Sequence, residues 1–189
     1  MHNKLLALDA HVRLYGDVDG DMFKSFLDQV ASARKAVSPD QPLILELTTT
    51  GGEAETARRM ATDIRMLREH DGRKLLFIGK SAVYSAGITI MSGFEPQERY
   101  LTRHTELLIH ERRVEKAIQL SGALRSNMPM LRDAMAELDS GSRLECQGFE
   151  QLVAGTKLTA DQLLKKVMEA DWYMDAAEAK ELGLIRDIL

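Results

Sequence analysis

The stretch "FIGKSAVYSAGITIMSG", residues 77–93, decides the fold. A strand-like apolar run from Lys74 to Ile78 leads into it and stops at Gly79. Small residues follow, then Tyr84, Ser85 and the pair Ala86-Gly87, after which apolar residues resume at helical spacing. This reads as strand, turn and helix, with a hydroxyl at the mouth of the helix. A serine in that place has two readings. As an N-cap it satisfies a free amide of the first turn. As a nucleophile it is carried on a turn where a base can reach it.

Working outward, similar text recurs. "LILEL" (43–47) is a compact strand, Gly51-Gly52 a turn, and "EAETARRMATDIRMLREH" a helix striped by Ala57, Met60, Ala61, Ile64 and Leu67. Upstream, residues 10–15 alternate as a strand closed by Gly16. Met22, Phe23, Phe26, Leu27 and Val30 then follow a cap at Asp19 or Asp21. Downstream, "ELLIH" (106–110) is a strand, and Glu115 to Val153 is mostly helical, with breaks near Pro129 and at Gly141. Thr159 with Gln162, and Asp175 with Glu178, have capping-box spacing, Gly183 is a stop, and "LIRDIL" closes the chain as a short strand. Alternating strands and helices predict a parallel α/β architecture.

The bulk composition narrows the function. The 189 residues suit one domain, 44% hydrophobic and 29% charged. A formal charge of -4 with only 5% aromatic residues offers no surface for nucleic acid. The single cysteine, Cys146, excludes an internal disulfide and any multi-cysteine metal site. The N-terminus has no apolar run long enough for a signal peptide or membrane span, so the expectation is a cytoplasmic protein without a membrane segment. Nothing points to a cofactor or a metal.

In open α/β sheets, ligands bind where strands hand over to helices. At those points stand "TTTGG", "KSAVYSAG", His110 at the end of its strand, and Asp171 in "ADWYMD" before the last helix. Serine needs a base, and the base needs an orienting acid; His110 and Asp171 are available for those roles. Backbone amides at Gly52 and Ala86 fit the donors of an oxyanion hole. Singly, each feature has a structural explanation. Ser85 can be a helix cap, His110 a strand-end histidine, Asp171 a loop residue or cap, and the two glycines a tight turn. Their joint occurrence at successive strand ends favours chemistry.

These residues resemble the proteolytic subunit of the Clp protease, within the crotonase-like fold family. "RLYGDVDGDMFKSFLDQV", "LILELTTTGGEAETARRMATDI", "YSAGITIMSG", "ELLIHER" and "ADWYMDAAEAKELGLIRDIL" are similar to the family's successive blocks. The resemblance implies repeated β-β-α units, a head of about residues 1–113 and 171–189, and a projecting helical handle over about 115–170. It implies Ser85 as nucleophile, His110 as general base and acid, Asp171 as its partner, and Gly52 and Ala86 as oxyanion donors. It also implies peptide or unfolded-protein substrates cleaved through an acyl-enzyme, and self-assembly into a ring. Two other readings stay open: a non-catalytic ring subunit, and a coenzyme A thioester enzyme on the same fold.

The chain departs from the family pattern in four places. The short N-terminus disfavours an AAA+ unfoldase partner. Thr49-Thr50 replaces Ser-Pro before the glycines. Two additional residues lie between Gly79 and Ser85, which leaves Ser81 as an alternative nucleophile. After His110 stands Glu111-Arg112-Arg113, where the family has Gln-Pro and a glycine-rich strand. In the handle, Leu124, Met128, Met130, Leu131, Met135 and Leu138 are too many apolar groups for a helix in water, and they predict a subunit interface.

Overall fold

The computed structural model describes residues 10–189. The segment before the first strand, on which the unfoldase expectation rests, lies largely outside the described residues. The elements run β1 (Val12–Tyr15), α1 (Gly20–Ala36), β2 (Leu43–Thr49), α2 (Ala54–Glu69), β3 (Leu75–Tyr84), α3 (Ala86–Met91), a 3-10 turn (Pro96–Glu98), β4 (Arg99–Leu101) and β5 (Glu106–Ile109). They continue with α4 (Leu124–Val153), α5 (Ala160–Glu169), β6 (Trp172–Asp175), α6 (Ala176–Glu181) and β7 (Asp187–Ile188).

One sheet organises the head, in the order β1-β2-β3-β4-β7, with β5 pairing both β3 and β6. All pairings are parallel except β5 with β6. Helix α1 buries Met22, Phe26, Val30 and Ala33, and α2 buries the stripe Ala57, Met60, Ala61, Ile64 and Leu67. Both join the inward side chains Leu43, Leu45, Leu47 and Phe77 in a single apolar cluster. Burying each large side chain is worth roughly 1.5–3 kcal/mol, so these two stripes and the sheet dominate the stability of the head. Asp19 caps α1, accepting from the Met22 amide at 2.8 Å, which decides between the two candidate caps.

Strand β3 does not stop at Gly79 as the sequence reading has it; it runs on to Tyr84. Between the pairs Leu47–Gly79 and Thr49–Val83, β3 advances four residues while β2 advances two. The two additional residues are absorbed in this bulge, where Ser81 adopts φ 58°. A bulge bends its strand and increases its twist. Accordingly β3 pairs with β4 through Phe77–Gly79 and with β5 through Ala82–Tyr84. The fork delivers Ser85 to the end of β5.

Three further expectations are corrected. Strands β4 and β6 were not foreseen: each is only three or four residues long and too short for a periodic signal. The stretch from Glu115 to Ala123, expected as the start of the helical region, is irregular. Helix α4 then runs unbroken for 30 residues through Pro129 and Gly141. Pro129 is its sixth residue, where the missing amide removes only the one bond to the Arg125 carbonyl.

Arg99 ties the far side of the sheet together. It is 1% exposed and donates to the carbonyls of Phe94, Leu152 and Leu184. Burial lowers its pKa to about 10, which still leaves it charged at neutral pH. The end of α4, the loop after α6 and the turn before β4 are thus held by one guanidinium.

Candidate active site

Ser85 occupies the junction of β3 and α3 at φ 52°, ψ −112°. A non-glycine residue there is strained by roughly 1–3 kcal/mol and persists only where its surroundings hold it. They do: the Ser85 amide donates to the Leu108 carbonyl at 2.8 Å, and its carbonyl accepts from the Ile88 amide at 2.9 Å. The strained turn projects the hydroxyl away from the helix. Ser85 makes no side-chain capping bond to α3, which removes the cap reading. Its Oγ lies 2.8 Å from His110 Nε2 instead.

His110 follows β5 directly. Its Nδ1 is 2.6 Å from the backbone carbonyl of Glu111. A carbonyl can only accept, so Nδ1 carries the proton and Nε2 presents its lone pair to the serine hydroxyl. This is the tautomer a general base needs. Ser81, the alternative nucleophile, is exposed on the bulge.

The glycine pair lies against the nucleophile. A Cβ on Gly51 would sit 3.0 Å from Ser85 Cβ, and one on Gly52 would sit 2.3 Å from the Val18 carbonyl oxygen. Both have positive φ, 121° and 142°, so glycine is required twice over. The Val18–Gly52 bridge uses the Val18 amide to the Gly51 carbonyl (2.8 Å) and the Glu53 amide to the Val18 carbonyl (2.7 Å). Neither bond engages the Gly52 amide. Ala86 is the first residue of α3, where amides have no intrahelical acceptor.

Asp171 is placed differently from the sequence expectation. The β5–β6 ladder pairs Ile109 with Trp172, so the register carried one step further sets His110 opposite Asp171. Yet the carboxylate is bonded to Arg113, whose terminal nitrogen donates at 2.6 and 2.9 Å. Serine and histidine are brought together; the aspartate is at the same end of the β5–β6 ladder but is engaged by Arg113. Sequence reasoning noted Glu111-Arg112-Arg113 only as a departure. Its contributions, the Glu111 carbonyl and the Arg113 ion pair, belong to a backbone atom and an exposed side chain, which carry no pattern in a sequence.

Beside Ser85 and His110 opens a cavity of about 100 Å³ with an apolar wall that includes Ile88, Ile109, Phe149 and Leu152. Its rim is charged but paired. Glu55 accepts from Arg58 at 2.6 Å and from Arg112 at 2.7 Å, and the Arg112 amide donates to Glu145. The Arg112 hydrogen bond holds the Glu55 carboxyl below its ordinary range. Among the described residues no group of histidine, cysteine and carboxylate side chains could hold a metal ion. Nor is any described helix long and apolar enough to cross a membrane.

A hydroxyl, an oriented imidazole and a double-glycine turn thus meet at one edge of the sheet of this crotonase-like α/β fold. The sequence profile of the Clp protease family matches residues 2–189, and the chain belongs to that family. It is 27% identical over 179 residues to the ATP-dependent Clp protease proteolytic subunit 2 of Pseudomonas aeruginosa, covering 92% of this chain and 78% of that one. Among solved structures, a ClpP1 point mutant from Listeria monocytogenes superposes with a TM-score of 0.75 at 19% identity, covering 99% of this chain and 94% of the other.

Proposed function

We propose that the chain is a serine peptidase subunit that cleaves peptide bonds through Ser85, His110 and Asp171. The observation that carries this is the 2.8 Å contact between Ser85 Oγ and His110 Nε2, made by an imidazole whose other nitrogen is already occupied. In the reaction His110 takes the hydroxyl proton as Oγ attacks the substrate carbonyl. The resulting oxyanion faces the amides of Gly52 and Ala86. His110 then gives its proton to the leaving amine, and water hydrolyses the acyl-enzyme by the same route. Asp171 supports the imidazolium once a side-chain rotation frees it from Arg113. The apolar cavity beside Ser85 suits a small apolar side chain preceding the cleaved bond.

Self-assembly is supported by α4. Leu124, Met128, Met130, Met135 and Leu138 are all exposed, Leu124 by 88%, and Val114, Ile118 and Leu120 of the preceding segment are exposed as well. Apolar surface of this extent marks a contact, here with further copies of the chain in a ring. Short peptides and unfolded chains, the substrates of this reading, need no unfoldase.

The second reading, a non-catalytic ring subunit, draws on the Arg113–Asp171 pair. Hydrolysis of unfolded casein and of fluorogenic peptides with an apolar residue before the reporter separates the two. Wild type is expected to turn these over, and Ser85→Ala and His110→Ala to be inert at unchanged melting temperature. Equal rates in wild type and Ser85→Ala would refute the peptidase reading.

A further inference from the structure

We propose that Arg113 is a positioning residue that governs the Ser85–His110 pair by withholding Asp171. This rests on the peptidase reading above. Three observations meet here. Asp171 and His110 flank the last pair of the β5–β6 ladder, Ile109–Trp172, so the backbone brings both residues to the same end of the ladder. Its carboxylate is nevertheless bonded through both oxygens to Arg113. And His110 Nδ1 is bonded to the Glu111 carbonyl, two residues before that same arginine.

The chain therefore offers His110 two acceptors. With Arg113 on Asp171, the ring is oriented by a neutral carbonyl. With Arg113 away, a carboxylate takes that place and stabilises the imidazolium formed during attack. The pair holding Asp171 is weak: its side chains are 71% and 39% exposed, and exposed pairs of this kind bias an equilibrium by only about two- to fivefold. That suits a contact released when a substrate or a neighbouring subunit touches the segment. The other charges facing His110 are engaged with one another. Arg58, Glu55, Arg112 and Glu145 form the paired rim described above, and Glu111 and Arg113 stand on the segment itself. Arg113 is the one whose removal frees a carboxylate at the same end of the ladder as the imidazole.

The test uses the full chain with Arg113→Ala, Arg113→Lys and the double variant Arg113→Ala/Asp171→Asn. The pH titration of the His110 ring is followed by nuclear magnetic resonance, and Ser85 labelling by a fluorophosphonate is timed. In Arg113→Ala the ring is expected to titrate at higher pH and labelling to quicken about two- to fivefold. Arg113→Lys restores wild-type behaviour, and the double variant loses the upward shift. An unchanged titration in Arg113→Ala, or the same upward shift in the double variant, overturns the proposal; the latter means that only the arginine's charge was felt. Absence of labelling in every variant, with the titration shifting as described, would refute the peptidase reading and leave the contact itself standing.

Discussion

Asp171 and His110 flank the last pair of the β5–β6 ladder, Ile109–Trp172, while the Asp171 carboxylate is held by Arg113. Asp171→Asn separates what the backbone places there from what the side chain does. The exposed carboxylate contributes little to folding, so the melting temperature should hold. If it supports the imidazolium, kcat should fall by about three to four orders of magnitude. Steady-state kinetics on a peptide substrate checks this. A rate within a few-fold of wild type would mean that the Glu111 carbonyl suffices to orient the histidine.

Gly52→Ala acts on both stability and chemistry. A methyl group there meets the Val18 carbonyl oxygen at 2.3 Å, and the backbone sits at φ 142°. The Val18 bridge must open to admit it. A loss of more than about 1 kcal/mol is expected, with reduced activity at temperatures where the variant remains folded. Urea denaturation measures the first. An unchanged midpoint would contradict the packing described for this turn.

Arg99→Leu should be among the most damaging substitutions outside the site. It strands the carbonyls of Phe94, Leu152 and Leu184, each unsatisfied buried acceptor costing about 1–3 kcal/mol. The expected total is at least about 3 kcal/mol in equilibrium unfolding. A loss below about 1 kcal/mol would show that water reaches these carbonyls.

Tyr84 gives a pH signature. Its hydroxyl donates to Glu106, and that hydrogen bond raises its pKa from 10.0 to about 12. The folded chain therefore holds this proton after the unfolded chain has released it. The stabilisation is complete below about pH 10 and is lost as pH rises through about 12. Thermal melts over this window should fall less steeply in Tyr84→Phe than in wild type. Identical slopes would mean that the phenol is not held by Glu106.

Much of this molecule was legible before its structure. The helical stripes of α1 and α2, the double-glycine turn and the junction at Ser85 follow from local periodicity and turn chemistry. The pairing of Ser85 with His110 followed from placing both at strand ends and from the family resemblance. The bulge at Ser81 was not legible, because the small residues after Gly79 read as the end of the strand and carry no sign of the pairing that continues it. Strands β4 and β6 owe their existence to neighbours supplied from far along the chain. The Arg113–Asp171 pair depends on the rotamers of two exposed side chains 58 positions apart.

The most direct measurement is the site of covalent capture by an active-site-directed fluorophosphonate, mapped by peptide mass spectrometry. Modification of Ser85 in the folded wild-type chain, lost in His110→Ala, is the predicted result. Modification of Ser81, or Ser85 labelling that persists at full rate without His110, would contradict the assignment of the nucleophile and its base.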